Sequence, residues 1–182
     1  MLKIHLEAEE LFDEDASRIV TLSALDLELE HSLVALANWE ARYEKPILGK
    51  FEECSTEEIF AYIHSMIVTP NVPEDVVYRF DEQVLVKINT YIEGKHSATW
   101  FNETLNKEKP SRETITSELI YYWMFSLGIP IECETWNLNR LFSLIRIYNV
   151  KNGKQEKRTP QQIAADYRAL NRERKAKLKT KG

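Results

Sequence analysis

The feature that most constrains this chain is its most hydrophobic stretch, "TITSELIYYWMFSLGIPIECETWNLNRLFSLIRIYNV", from Thr114 to Val150. It holds two of the four tryptophans and one of the two cysteines. A membrane-spanning helix needs about 20 predominantly apolar residues. The run from Ile115 to Ile131 is shorter and includes Thr116, Ser117, Glu118 and Ser126. Gly128 and Pro130 then stop it, because glycine suits a helix C-cap and proline lacks a backbone donor. The stretch must therefore bury its apolar surface inside a soluble fold. Ile115, Leu119, Trp123 and Leu127 recur every four residues, flanked by Ile120 and Met124, which gives one broad helical face. Tyr121, Tyr122 and Phe125 fall on the other half, so this helix is expected to be covered on more than one side. Pro110-Ser111 supplies a start signal, with Glu113 favourably placed in the first turn. Beyond the break, Leu138, Leu141, Phe142, Ile145 and Tyr148 form one face of a second helix, capped by Asn137 or Thr135. The expectation is a helical hairpin at the centre of the core. Its main side chains would be Trp123, Met124, Leu127, Trp136, Leu141, Phe142 and Ile145.

The N-terminal part has a different period. "LDLELEHS" places Leu25, Leu27 and Leu29 on one face and Asp26, Glu28 and Glu30 on the other, which predicts a half-buried strand. "LKIHLE" at Leu2–Glu7 alternates as well and is its expected partner. After Ser32 two patterns fit. Leu33, Leu36, Ala37 and Ala41 suit a helix, whereas Leu33, Ala35, Ala37, Trp39, Ala41 and Tyr43 suit a continued strand. Ser32 as a cap and the local helix formers favour a strand to about Glu30 followed by a helix to about Tyr43.

The middle is helical. "STEEIFAYIHSMIV" opens with a capping box, Ser55 with Glu58, and presents Ile59, Ile63, Met66 and Ile67 as its buried face. Pro70 and Pro73 break it. "DEQVLVKINTYIEG" then aligns Val84, Leu85, Ile88, Tyr91 and Ile92, and Gly94 ends it. The segment up to the hydrophobic stretch is polar and irregular apart from Trp100-Phe101. With five glycines and six prolines in 182 residues, 43% of them hydrophobic, the chain has the composition of an ordered and mostly helical protein. The predicted class is α+β, mainly α: a small N-terminal hairpin or sheet, then about five or six helices, then a basic helical arm.

Charge divides the chain. Residues 151–182 carry 11 Lys or Arg against 3 Asp or Glu, for +8, while residues 1–150 carry 13 against 26, for −13. The reading is an acidic domain over 1–150 and a basic C-terminal helix and arm over 151–182. Thr159 and Pro160 start the basic helix, and Ile163, Tyr167 and Leu170 make a short stripe. From Asn171 onward only Leu178 and Ala176 interrupt polar and basic residues. Arg172, Arg174, Lys175, Lys177, Lys179 and Lys181 are the candidate partner-binding residues. Three uses fit such a run: a solvated helix end, docking on an acidic protein surface, or contact with nucleic acid.

Catalytic constellations are missing from the sequence. His5, His31, His64 and His96 form no i, i+4 pair and no HExxH, and there is no glycine-rich phosphate loop, GxSxG or CxxC. Cys54 and His64 stand ten apart across a helix start, a spacing that no nucleophile–base pair requires. Cys133 lies between Glu132 and Glu134, whose charge raises a thiol pKa rather than activating it. His31, at the strand-to-helix junction, reads as a hydrogen-bonded packing residue. Arg140, Arg146 and Lys151 interleave with aromatics, which suits either a nucleic-acid groove or a helix with buried aromatics and outward arginines. Two cysteines give neither a disulfide framework nor zinc spacing, so reduced thiols are expected. The N-terminus "MLKIHLEAEELFDEDAS" lacks the pattern of a secretory signal. The expectation is a non-enzymatic protein without cofactor or metal.

Four segments carry a resemblance: "LELEHSLVALANWEARYEKPILGK", "STEEIFAYIHSM", "SELIYYWMFSLGIPIECETWNLNRLFSLIRIYNVKN" and "RALNRERKAKLKTKG". In this combination the chain resembles a group of phage tail-module proteins that includes tail assembly chaperones and structural proteins of the virion. The resemblance implies partners among other phage proteins, namely tape-measure, tail-tube or connector proteins, with a homo-oligomer as a further option. It implies a place in the host cytoplasm during assembly, or in the virion for a structural role such as a head–tail connector or ring. The basic arm adds nucleic acid as an alternative partner, and no membrane is implied. The resembling segments are packing patterns and transfer no site residue.

Overall fold

The computed structural model describes residues 1–13, 18–101 and 114–152, together with Arg168. The chain divides into two compact units, Met1–Ile147 and Tyr148–Gly182. The fold is α+β and mainly helical, as the periodicities predict. Strand β1 (Leu2–Leu6) pairs antiparallel with β4 (Leu25–Leu29), with Ile4 opposite Leu27. Leu6, Ile4, Leu27 and Leu29 are buried on one face, and Lys3, His5 and Asp26 are exposed on the other. The strict alternation of "LDLEL" has this as its cause.

Between the paired strands lies an element that periodicity does not announce, a second antiparallel hairpin of β2 (Glu9–Asp13) and β3 (Arg18–Leu22). Its strands are short, and β3 lies mostly toward solvent, so neither segment shows the apolar alternation of a half-buried strand.

Helix α1 (Leu33–Tyr43) starts at Ser32, whose Oγ accepts from the Ala35 N–H at 3.2 Å. This resolves the two patterns after Ser32 in favour of the helix. Leu33, Leu36 and Trp39 then face inward. Helix α2 (Thr56–Ser65) has the expected reciprocal capping box. The Ser55 N–H donates to Glu58 Oε2 at 2.8 Å, and the Glu58 N–H to Ser55 Oγ at 3.3 Å. Its buried face is Tyr62, Ile63 and Met66, while Ile59 and Ile67 are only half-buried. Helix α3 (Glu82–Glu93) is capped by Asp81 and ends at Gly94, and it buries Val84 and Ile88.

Helix α4 (Ser117–Ser126) corrects three expectations. Thr116 caps it, with its Oγ1 accepting from the Leu119 N–H, and Pro110, Ser111 and Glu113 lie outside the described residues. It buries Ser117, Ile120 and Met124, whereas Trp123 and Leu127 are half-buried. Among the described residues nothing covers its other side at Tyr122 and Phe125, which are 65% and 66% exposed, while Tyr121 is half-buried. A 3-10 turn (Ile131–Thr135) leads to α5 (Leu138–Asn152), where Asn137 rather than Thr135 takes the capping place and its Oδ1 accepts from the Asn139 N–H at 3.0 Å. Leu138, Leu141 and Ile145 are buried, but Trp136 and Phe142 only partly.

The centre of the core is therefore not the expected hairpin. Helix α1 is the hub, with α2, α4 and the 3-10 turn before α5 packed on it. Trp39 and Tyr62 meet edge to face at 6.4 Å, and Phe51 and His31 pack edge-on against Tyr62 at 5.5 and 5.9 Å.

Candidate interaction surface

The junction between β4 and α1 organises everything around it. The free edge of β4 is taken up by the exit of α2: the Val68 N–H donates to the Glu28 carbonyl and the Glu30 N–H to the Met66 carbonyl, both at 2.8 Å. Thr69 Oγ1 accepts from the Glu28 N–H. One step on, the Leu138 N–H donates to the His31 carbonyl at 2.7 Å and Ser32 bridges Asn137, which fixes the start of α5.

Side chains complete this seam. Glu30 is buried, and its Oε1 accepts from Tyr91 Oη at 2.8 Å and Asn137 Nδ2 at 3.1 Å. The Met1 ammonium lies 3.0 Å from Oε2. Burial alone raises the Glu30 pKa, but these three donors outweigh it and hold the carboxyl below its ordinary value. The Tyr91 phenol is pushed up to about 12, by burial first and then by its bond to Glu30. His31 packs as expected, buried and with Nδ1 2.7 Å from Tyr62 Oη. Burial lowers its pKa to about 4, so the ring is neutral at pH 7. These groups are satisfied by one another and hold the fold together.

The residues weighed for chemistry do not assemble. Cys54 Sγ is 3.6 Å from the Lys50 carbonyl, and burial raises its pKa. His64 instead borders a cleft between α1 and α2 with Asn38, Arg42 and Ser65. Cys133 is raised first by burial and then by Glu132, which agrees in direction with the charge argument. Among the described residues no group of three or more His, Cys, Asp or Glu has the arrangement of a metal site. None of the described helices is long and apolar enough to cross a membrane.

Basic side chains in the α5 region cover aromatic rings. The Arg140 guanidinium lies 4.1 Å from the Trp136 ring centre and that of Arg146 4.2 Å from Phe101. Lys95 sits 3.9 Å over Trp100, which is 87% exposed. Arg172, Arg174, Lys175, Lys177, Lys179 and Lys181 lie outside the described residues, as do Thr159, Pro160 and the Ile163–Leu170 stripe. Beyond Asn152 only Arg168 is described, and it is helical and exposed.

An open aromatic surface lies on α4. Tyr121, Tyr122 and Phe125 fall within about 100° of arc at ~100° per residue; Tyr122 and Phe125 are exposed and Tyr121 is half-buried, and Ile131 just beyond the helix is exposed. Tyr121 and Phe125 stack with ring centres 6.4 Å apart. Tyr121 Oη donates to Glu134 Oε2 at 2.8 Å, which anchors one edge of the patch. Sequence reasoning found these aromatics but assigned them a covering element. Comparison of the chain with protein-family models, with curated proteins and with solved structures finds no match.

Proposed function

We propose that this is a non-enzymatic protein of phage morphogenesis, a tail assembly chaperone that holds apolar stretches of the tape-measure protein until the tail tube polymerises around them. The observation that carries this reading is the outward aromatic face of α4, where Tyr122 and Phe125 stand in solvent on a well-capped helix. Such a face suits an amphipathic helix, the conformation in which a long helical partner presents its apolar residues. The resemblance to phage tail-module proteins supplies the partner. The basic run from Arg172 to Lys181 supplements this contact through charge, and its contribution falls as salt rises.

The protein should co-purify with the tape-measure protein from infected cells and be missing from finished particles. Tyr122→Ser with Phe125→Ser should abolish that capture and leave the melting curve nearly unchanged, since exposed substitutions usually stay within about 0.5 kcal/mol. Stoichiometric presence in purified virions would refute the chaperone reading and assign a structural place in the particle.

A further inference from the structure

The β1–β4 and β2–β3 pairs belong to one ladder. Leu6 stands opposite Leu25 and Glu9 opposite Leu22, so the break between the pairs omits two residues on each strand and keeps the register. Arg79, the last residue of the 3-10 turn Glu74–Arg79, holds both strands at this break. Its guanidinium donates to the Glu7 carbonyl at 2.7 Å and to the Ser23 carbonyl at 3.3 Å. One edge of the ladder runs along β3 and then β4. Over β4 it is closed by the chain from Met66 to Val68. Along β3 it is open: among the described residues β2 is the backbone partner of β3, and no second strand pairs with it. β2 and β3 pack chiefly on each other.

An open edge presents unused N–H and C=O groups, and proteins ordinarily guard it with charge, proline or a covering element. The two edges of the distal hairpin differ in this respect. β2, "EELFD", carries three acids and no base. Antiparallel pairing with its own copy about Leu11 would set Glu9 against Asp13 twice, which like charge opposes. β3, "RIVTL", has one charge, no proline and three β-branched residues. Paired antiparallel with its own copy about Val20, it sets Ile19 opposite Thr21, Val20 opposite Val20 and Arg18 opposite Leu22, and no like charges meet. Ile19 is 66% exposed, and Thr21 is exposed on the same face. One permissive edge beside one guarded edge gives a closed two-fold pair and not an open polymer.

We propose that β3 is a dimerisation edge, which pairs antiparallel with β3 of a second copy of this chain and joins the two distal hairpins into one four-stranded sheet across a two-fold axis. The contact uses the backbone of β3 and not the aromatic face of α4, so it stands apart from the assembly reading.

The test is sedimentation equilibrium of the full chain over a range of concentrations. The wild type should dimerise reversibly. Ile19→Lys with Thr21→Lys, both at exposed positions, sets lysine against lysine twice across the axis and should weaken the dimer about tenfold. Ile19→Glu with Thr21→Glu should do the same. An equimolar mixture of the two variants should restore the dimer, because each introduced lysine then faces an introduced glutamate, and this restoration also shows that both variants fold. Tyr122→Ser with Phe125→Ser should dimerise as the wild type does. A wild type that stays monomeric up to its solubility limit would overturn the proposal. So would a dimer that the lysine variant leaves unchanged, a mixture that stays monomeric, or a dimer that is lost in the α4 variant.

Discussion

Acidification should destabilise this protein through His31 before the carboxylates respond. The ring is buried at the β4–α1 junction against Tyr62, and burial lowers its pKa from 6.5 to about 4. Between those values the unfolded chain binds a proton at this position and the folded chain does not. Stability is thus fully present above pH ~6.5 and is lost as pH falls toward 4. At ~1.4 kcal/mol per pH unit, the full window is worth about 3 kcal/mol, a large part of a typical domain stability of about 5–15 kcal/mol. Glu30, held below its ordinary 4.5, acts in a separate window and loses its contribution only as pH falls further. His5 has the opposite sign. Its hydrogen bond to Asp26 raises its pKa, so its contribution is present at low pH and lost as pH rises. The measurement is urea unfolding followed by tryptophan fluorescence at half-unit steps from pH 7.5 to 4.5. His31→Gln should flatten most of the slope below pH 6.5, whatever its offset in absolute stability. An imidazole resonance of His31 that titrates near pH 6.5 would refute the reasoning, as would parallel pH profiles for the wild type and His31→Gln.

Three further outcomes follow from the packing. Trp39→Ala should cost about 3–5 kcal/mol in denaturant melts, because the ring is buried and its Nε1 donates to the Glu58 carbonyl. Trp123→Ala, at a half-buried position, should cost about 1–3 kcal/mol, and an order reversed between the two would refute α1 as the hub. Ser55→Ala should cost about 1 kcal/mol by opening the α2 capping box, read as a lowered urea midpoint. Glu30→Ala should cost about 2–4 kcal/mol, since it strands Tyr91 Oη and Asn137 Nδ2, whereas Glu28→Ala, which loses the exposed pair with Lys3, should cost far less.

The sequence by itself determined the local elements. Alternation in "LDLEL" and "LKIHL" set β4 and β1, Ser32 and Ser55 set the starts of α1 and α2, and Gly94 set the end of α3. These features are legible because each rests on side-chain parity or on hydrogen bonds between residues no more than four apart. Tertiary structure decided the rest. Whether Tyr122 and Phe125 are covered depends on which helix packs on α4, and no period within α4 records that. Glu40 looks like any surface glutamate of a helix until Ser117, 77 residues away, meets it and closes it from solvent. Glu30 continues a solvent-side parity in the strand pattern, yet Tyr91 and Asn137 draw it inside from separations of 61 and 107 residues. The hub role of α1 has the same origin. Burial of a polar or aromatic side chain depends on partners brought together by folding, and local pattern fixes only the face on which it waits.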